Sequence, residues 1–295
     1  MILVMLLLAG CHQRQPAPPS SRCVALPEEQ MRWIPAGRFV MGEDPRYPEE
    51  GPPRIVSVPG FWIDTHEITN AQFARFVHAT GYRTLAERKP PVERDTPAEM
   101  RVPGSAVFAV PSDADPRWWR WVTGAQWRHP DGSVESLTGR AREPVVQIAY
   151  DDARAYARWA GKDLPDEAQW EYAARGGQPA LPEPVAADGI PIANTYQGVF
   201  PLRNLASDGF VGRAPVGCFP PNAYGLYDMI GNVWEWTSGA AGAQGERRVI
   251  KGGSYLCAAN YCARYRPAAR QFQERGLGTD HIGMRLVDNR RPPPH

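Results

Sequence analysis

The chain has 295 residues, 33 of them basic and 32 acidic, and its formal net charge at pH 7 is +1. This balance, without any lysine- or arginine-rich block, excludes the basic footprint of a nucleic-acid-binding protein. Ten tryptophans, 31 prolines and 28 glycines indicate a large apolar core and a backbone that lies largely in turns.

The N-terminal residues indicate export. Residues 1–10 are almost wholly apolar and precede Cys11, an arrangement typical of a lipoprotein signal in which this cysteine becomes lipidated. The run is shorter than the ~20 apolar residues of a membrane-spanning helix. We therefore expect a periplasmic or otherwise extracytoplasmic protein that is anchored to the membrane only through lipid at Cys11. The run also lacks a basic start, so a misplaced start and a cytoplasmic protein form the alternative.

Composition divides the chain into four parts. Residues 1–11 form the signal segment, and residues 12–31, rich in Pro, Gln and Ser, predict an extended tether. Residues 32–290 are expected to form a single domain, and residues 291–295 a tail.

Short strands are predicted at the start of this domain. Residues 33–41 contain two apolar runs around a Pro-Ala-Gly turn, which predicts a hairpin. Residues 54–64 alternate between apolar and polar side chains, with a break at Pro59.

Three helices follow from capping signals and apolar spacing. Thr69 is a suitable N-cap for a helix that ends near Gly81. Residues 151–160 carry alanine and tyrosine on one face, which predicts a second helix. Asp166 is a suitable N-cap for a third helix, which ends near Gly176.

The region 83–145 is rich in proline and resists assignment. Its tryptophans, among them Trp118, Trp119 and Trp127, suit either a stacking surface for a sugar or peptide or, more in keeping with burial statistics, an irregular core. His129 is either catalytic or, as we prefer, a hydrogen-bonded structural residue.

Little regular structure is expected in the last third of the domain. Between Gly177 and a strand at 248–251 no clear period is visible, and residues 282–287 predict a final strand. Few helices, short strands and long loops together predict an irregular α+β fold.

Two cysteines lie in a segment that favours reactive thiols over a role in packing. Cys257 and Cys262 are five residues apart, between a double glycine and the run Arg264-Tyr265-Arg266. Positive charge lowers the pKa of a nearby thiol, so Arg264 and Arg266 are candidates for activating this pair. A structural disulfide or two buried apolar cysteines are the alternatives. Zinc is less favoured, because the usual ligand spacing is missing.

The other cysteines allow a bridge. With Cys11 assigned to lipid, Cys23 and Cys218 remain. They would form a disulfide in an oxidising periplasm, and two free thiols are the alternative.

The cysteine segment resembles the C-terminal active-site motif of formylglycine-generating enzymes, oxidases that convert a sulfatase cysteine into formylglycine. Further stretches that match this family in order are 70–82, 127–130, 160–172 and 222–236. The resemblance covers about residues 32–287. It implies the formylglycine-generating enzyme fold, a variant of the C-type lectin-like architecture with low regular secondary structure.

The resemblance also implies a cofactor and a reaction. Cys257 and Cys262 match the family's copper-binding pair, and soft thiolates are ligands that select Cu(I). The substrate would be a cysteine in a Cys-X-Pro-X-Arg segment of an unfolded sulfatase, with O2 and a thiol reductant as further partners. The substrate cysteine would become a third thiolate ligand, lose a Cβ hydrogen and end as an aldehyde. Ser254 and Tyr261 match catalytic positions; Ser254 alternatively satisfies a turn, and Arg266 is expected to shape the pocket.

Two structural calcium sites are implied as well. The residues that match family ligands are Asp228, Gly231, Val233 and Glu235 in one set and Asn194, Thr195, Asp208 and Phe210 in the other. Carboxylates and carbonyl groups on bent loops suit Ca²⁺, which takes 6–8 oxygen ligands.

Two departures from the family pattern leave open an alternative to the oxidase. His281 stands where asparagine is usual, and Met284 replaces an aromatic residue. The alternative is a non-catalytic, lipid-anchored binding or scaffold module on the same fold. An iron enzyme of the sulfoxide-synthase type is less favoured, because no pairing for a histidine triad is visible.

Overall fold

The computed structural model describes residues 23–178 and 183–290. Cys11, the signal segment, residues 12–22 of the predicted tether and the tail at 291–295 lie outside these residues. Within the described part, none of the helices combines the length and apolar character needed to cross a bilayer.

The three α-helices form where the sequence predicts them. Their bounds are α1 Asn70–Thr80, α2 Tyr150–Trp159 and α3 Glu167–Arg175. Thr69 and Gln72 form a reciprocal capping box at the start of α1, and Gly81 ends this helix in the left-handed conformation. Asp166 caps α3 in the same way. Local capping chemistry therefore sets these helix ends.

The strands are short and belong to several small sheets. Their bounds are β1 Met31–Ile34, β2 Gly37–Met41, β3 Arg54–Val58, β4 Phe61–Asp64, β5 Gly104–Phe108, β6 Trp119–Thr123, β7 Gly198–Val199, β8 Arg203–Asn204, β9 Trp234–Ala241, β10 Arg247–Lys251, β11 Gln271–Glu274, β12 Ile282–Gly283 and β13 Val287–Asp288. One sheet has the order β1-β4-β13 and another the order β11-β10-β9-β12, and β2–β3, β5–β6 and β7–β8 are two-stranded. All described pairs are antiparallel except β9 with β12.

The predicted hairpin at 33–41 is wrong. β1 pairs with β4 and β2 with β3, so the Pro-Ala turn carries the chain from one sheet to another. The reason is burial: Ile34 and Phe61 are opposite each other in the register and both are fully buried. The break at Pro59 is confirmed, since it separates β3 from β4.

Two further strand predictions need correction. The region from Gly177 to residue 248 contains β9, the eight-residue strand at the centre of its sheet. Trp234, Glu235 and Trp236 are all buried, so β9 shows no alternation that would reveal it. The predicted strand at 282–287 is two short strands, β12 and β13, which belong to different sheets.

The apolar core forms two main clusters. One surrounds α1 and α2 and includes Phe73, Trp236 and Cys257; the other packs Trp170 of α3 against the β1–β4 sheet. Cys257 therefore belongs to the wall of the main core.

The segment before β1 is fixed to the domain. Cys23 forms a disulfide with Cys218, and the Val24 N–H donates to the Gly217 carbonyl at 3.0 Å. The tether boundary predicted at residue 31 is therefore too late, because the chain is already anchored at Cys23.

Two buried ion pairs lock the sheet that carries the cysteine segment. Arg285 donates to both carboxylate oxygens of Glu235 at 2.7 Å, and the Trp170 indole N–H donates to Glu235 Oε2 at 2.7 Å. Lys251, the last residue of β10, lies 3.1 Å from Glu171 of α3. These contacts fix the point at which the chain leaves β10.

Candidate active site

Glycines turn the chain from β10 into the cysteine segment. Gly252 and Gly253 have φ values of 99° and 73°, a region that L side chains rarely adopt. A Cβ atom on Gly253 would lie 2.7 Å from the Cα of Tyr265, so the chain passes directly against its own return. The double glycine is therefore required for the loop to close.

Two successive turns bring the thiols together. The Cys257 N–H donates to the Ser254 carbonyl at 2.9 Å, and the Cys262 N–H donates to the Ala258 carbonyl at 2.8 Å. The side chains of Cys257 and Cys262 consequently line the same groove, and each shifts the pKa of the other. Neither is in a disulfide; Cys257 is buried and Cys262 is partly exposed. The predicted pairing of these two side chains is therefore present.

The two thiols differ in ionisation. The hydrogen bond from Cys257 is the main cause that lowers the pKa of Cys262 to about 6, and Arg264 adds to it. The same contact, together with burial, raises the pKa of Cys257. The pair thus holds one thiolate at neutral pH, with the other sulfur as its hydrogen-bond donor.

One of the two candidate arginines contacts a cysteine. Arg264 Nη1 lies 3.6 Å from Cys262 Sγ, and its guanidinium also binds Glu49 Oε1. Arg266 is buried and bonded to Glu50 and to the Asp44 carbonyl. The expectation that Arg266 activates the pair or shapes the pocket is therefore wrong, because Glu50 holds its charge elsewhere.

The thiols open into a groove of about 560 Å³. Its lining residues are Phe108, Trp118, Trp119, Phe200, Trp234, Ser254, Leu256, Cys257, Tyr261, Cys262, Arg264, Gln271 and His281. This volume is within the usual range for ligand pockets, so the groove can admit a small molecule or a few side chains of a polypeptide.

Stacked aromatic rings form one wall of the groove. The ring centroid of Phe200 lies 5.5 Å from that of Trp118 and 4.9 Å from that of Tyr261, with interplanar angles of 3° and 23°. Trp118 and Trp119 line the groove, where a stacking role stays a prediction, whereas Trp127 lies in the core as expected. Tyr261 is 61% exposed, which leaves its ring available to a ligand.

Ser254 and His281 line the groove beside the thiols. The Ser254 hydroxyl accepts a hydrogen bond from the Leu256 N–H at 3.2 Å, so it also satisfies a turn. His281 Nδ1 lies 2.7 Å from Thr279 Oγ1, and its ring centroid is 4.7 Å from that of Trp119. Burial lowers the pKa of His281 to about 3, so the imidazole facing the groove is neutral at pH 7.

The other residues that the sequence singled out lie away from the groove. His129 Nδ1 contacts the Glu135 carbonyl at 2.5 Å, which agrees with a structural role. Met284 is fully buried in the main core, where an aromatic ring would compete for the same space. The sequence did not single out Phe108, Phe200 or Gln271, since none of them belongs to a recognisable motif.

The thiol pair fits Cu(I). Two sulfur ligands that line one groove, one of them ionised at neutral pH, form the soft donor set that this ion prefers. Among the described residues no group of three or more His, Cys, Asp and Glu side chains is placed to hold a metal ion.

The first calcium set predicted from the sequence consists of Asp228, Gly231, Val233 and Glu235. Asp228 Oδ2 accepts a hydrogen bond from the Gly217 N–H at 3.0 Å, while its buried Oδ1 has no partner among the described residues. Burial raises the pKa of Asp228 to about 6. Glu235 Oε1 accepts a hydrogen bond from Arg285, which leaves a lone-pair site on this oxygen. An oxygen-binding cation would give Asp228 Oδ1 the partner that it lacks, so this residue fits a calcium ligand. Glu235 is already paired with Arg285 and Trp170.

The second calcium set predicted from the sequence consists of Asn194, Thr195, Asp208 and Phe210. The Gln197 amide nitrogen donates both to the Thr195 carbonyl and to Asp208 Oδ2. Because one nitrogen contacts both, the Thr195 carbonyl oxygen and Asp208 Oδ2 lie close to each other. Burial raises the pKa of Asp208, a cost that a bound cation would offset. This set fits as well.

The fold and the site define a class before any comparison with known proteins. An irregular α+β domain that presents two free thiols in an aromatic groove is suited to thiol-dependent redox chemistry. The family described as "Sulfatase-modifying factor enzyme 1-like domain" matches residues 16–290, and the chain belongs to this family.

Individual proteins agree with this assignment. The chain is 47% identical over 286 residues to a formylglycine-generating enzyme of Mycobacterium tuberculosis, covering 86% of this chain and 96% of that protein. It is 37% identical over 268 residues to a mouse protein named inactive C-alpha-formylglycine-generating enzyme 2, covering 87% and 84%. The structure of PvdO from Pseudomonas aeruginosa superposes with a TM-score of 0.61 at 26% identity, covering 88% and 93%. The chain is an enzyme of the formylglycine-generating type, an oxidase that converts a protein cysteine into formylglycine.

Proposed function

We propose that this enzyme matures sulfatases by a Cu(I)- and O2-dependent oxidation of a cysteine in a Cys-X-Pro-X-Arg segment of the unfolded substrate. The observation that carries the proposal is the pair of free cysteines, Cys257 and Cys262, which line one groove together, with the pKa of Cys262 lowered to about 6. The similarity to formylglycine-generating enzymes over most of the chain supports the substrate class.

The overall reaction requires an external reductant. A cysteine side chain, O2, two electrons and two protons yield the aldehyde, hydrogen sulfide and water. The substrate C–S bond, one Cβ–H bond and the O–O bond break; a C=O bond, one further S–H bond and the two O–H bonds of water form. A thiol reductant supplies the two electrons, and copper, when bound to the two sulfurs, supplies the oxygen chemistry.

The residues of the chain bind and orient the substrate. Cys262 and Cys257 hold the metal, and Arg264 stabilises the negative charge of Cys262 at 3.6 Å. Trp118 and Tyr261 offer aromatic faces on which a substrate residue can stack. Ser254, already fixed by its turn, is placed to contribute a hydroxyl hydrogen bond beside the thiols. These groups are in place before the substrate binds, so the chain spends little entropy on forming the site.

We also propose structural calcium ions at the two fitted sets and lipid attachment at Cys11. Removing calcium should lower the unfolding temperature, and Asp208→Asn should reduce that response. Metabolic labelling with a lipid analogue should mark the full-length protein and should fail for Cys11→Ser. The disulfide Cys23–Cys218 supports an extracytoplasmic location, because such bridges persist in oxidising compartments.

The proposal is tested by copper binding and by product analysis. Wild type should bind one Cu(I) in competition with a colorimetric chelator and then convert a Cys-X-Pro-X-Arg peptide to its aldehyde, as detected by mass spectrometry. Cys257→Ser and Cys262→Ser should lose both properties. The matched control carries Cys23→Ser and Cys218→Ser, which removes two cysteines outside the groove and should keep both.

Two outcomes would contradict the proposal. Stoichiometric copper binding by Cys262→Ser would place the metal elsewhere. A copper-loaded wild type that forms no aldehyde with O2 and reductant would favour the non-catalytic binding module.

A further inference from the structure

We propose that the β7–β8 hairpin is a docking surface for an apolar segment of the unfolded substrate that flanks the oxidised cysteine. The inference rests on the proposed function and extends it, because it concerns residues outside the groove. The apolar hairpin surface is defined by three exposed side chains, Val199, Leu202 and Leu205.

The exposure of these side chains is high for apolar residues. Val199 and Leu205 are each 55% exposed and Leu202 is 79% exposed. They belong to one short hairpin, and a concentration of this kind marks an interaction site more often than isolated apolar residues do.

The hairpin cannot bury them by folding inward. Its tip residue Phe200 is held in the groove wall, with ring centroids 5.5 Å from Trp118 and 5.0 Å from Tyr196. The Leu205 N–H donates to the Gln197 carbonyl at 2.6 Å, which closes the base of the hairpin. Moving Leu202 or Leu205 inward would therefore withdraw Phe200 from the groove.

The apolar hairpin surface and the groove meet at Phe200, the tip residue of the hairpin. Phe200 lines the same groove as Cys257 and Cys262, and Leu202 follows it by two residues. A polypeptide whose cysteine lies at the thiol pair and whose chain leaves past Phe200 would run over this surface. An unfolded substrate exposes the apolar side chains that its folded form buries. The apolar side chains of its flanking segment can therefore pack against this surface and remove both from water.

The test compares peptides that differ only in their flanks. A short peptide contains the cysteine segment alone, and longer ones add an apolar extension on either side, or a polar extension of the same length. With wild type, an apolar extension on one side should lower KM about ten-fold, as expected for burial of a leucine-sized surface. The Leu202→Ser/Leu205→Ser variant should lose this gain, while kcat and the KM of the short peptide stay unchanged.

Ile55→Ser is the matched control. Ile55 is 66% exposed on β3 and does not line the groove, so this variant should behave like wild type with every peptide. Equal KM values of wild type for apolar and polar extensions would overturn the proposal. So would an equal loss in Ile55→Ser, or a change in the KM of the short peptide in the double variant.

Evidence for either of two other occupants of the apolar hairpin surface would also overturn the proposal. Wild type that forms a dimer in sedimentation and loses it in the double variant would assign the surface to a second copy. Binding of the lipid-free protein to phospholipid vesicles, lost in the double variant, would assign it to a membrane.

A binding assay separates this proposal from the proposed function. Fluorescence anisotropy with the same peptides, carrying serine in place of the substrate cysteine, needs neither copper nor O2. Tighter binding of the apolar extension by wild type than by the double variant would support the docking surface even if no aldehyde were formed. Equal binding by both proteins would overturn it even if oxidation proceeds.

Discussion

Replacement of Cys257 by alanine should make the Cys262 thiol less acidic. The pKa of Cys262 is about 6, against 9.0 for an unperturbed thiol, and the hydrogen bond from Cys257 is its main cause. At pH 7 these two values correspond to thiolate fractions of about 90% and about 1%. Because Arg264 remains in place, we expect Cys257→Ala to raise the pKa by at least about one unit without restoring the unperturbed value.

The pH profile of alkylation measures this shift. The metal-free, reduced protein is treated with iodoacetamide between pH 4 and 10, and modification of Cys262 is followed by peptide mass spectrometry. The midpoint is the informative quantity, because a less acidic thiol forms a more nucleophilic thiolate and the rate at one pH changes little. The wild-type midpoint should lie near pH 6.

Two variants act as controls for this experiment. Cys257→Ser keeps a hydrogen-bond donor and should leave the midpoint close to that of wild type. Arg264 lowers the pKa of Cys262 less than Cys257 does. Arg264→Met should therefore raise the midpoint less than Cys257→Ala does. A wild-type midpoint above pH 8, or an unchanged midpoint in Cys257→Ala, would refute the reasoning that the two thiols share one proton.

Three further predictions concern stability. Glu235→Gln should lower the free energy of unfolding by about 3–5 kcal/mol in urea titrations, because it leaves the buried Arg285 without its charged partner. Cys23→Ser should lower it by about 2–5 kcal/mol through loss of the disulfide, and reductant should then have no further effect on this bridge. Asp280→Asn should change how stability depends on pH. Burial raises the pKa of Asp280 from 3.8 to about 7, so between these values the folded state binds more protons than the unfolded state. As the pH rises from about 4 to about 7, the stability of wild type should therefore fall relative to that of the variant, by about 1.4 kcal/mol for each pH unit.

Each stability prediction has a result that would contradict it. A Glu235→Gln variant as stable as wild type in the presence and absence of calcium would show that the arginine finds another partner. Unfolding of wild type that is insensitive to reductant would contradict a contribution from the bridge. A constant stability difference between wild type and Asp280→Asn from pH 4 to 7 would show that this carboxyl titrates normally.

The sequence by itself determined the local features of the chain. The helix ends follow from Thr69, Gly81 and Asp166, because capping acts within a few residues. The thiol pair is equally local: Cys257 and Cys262 lie on adjoining turns of one loop, and the double glycine before them is visible in the sequence. These predictions succeeded because every interacting group is close along the chain.

Strand pairing and the walls of the groove were decided by the tertiary structure. β1 pairs with β4 across an intervening hairpin, and Phe200, Trp118 and Tyr261 meet from three distant segments. Arg266 illustrates the same limit: it has the spacing of an activating residue, yet the distant Glu50 binds it at 2.5 Å. Side-chain type and spacing define what a residue can do, but the partner that it meets depends on contacts between segments whose separation in sequence carries no signal.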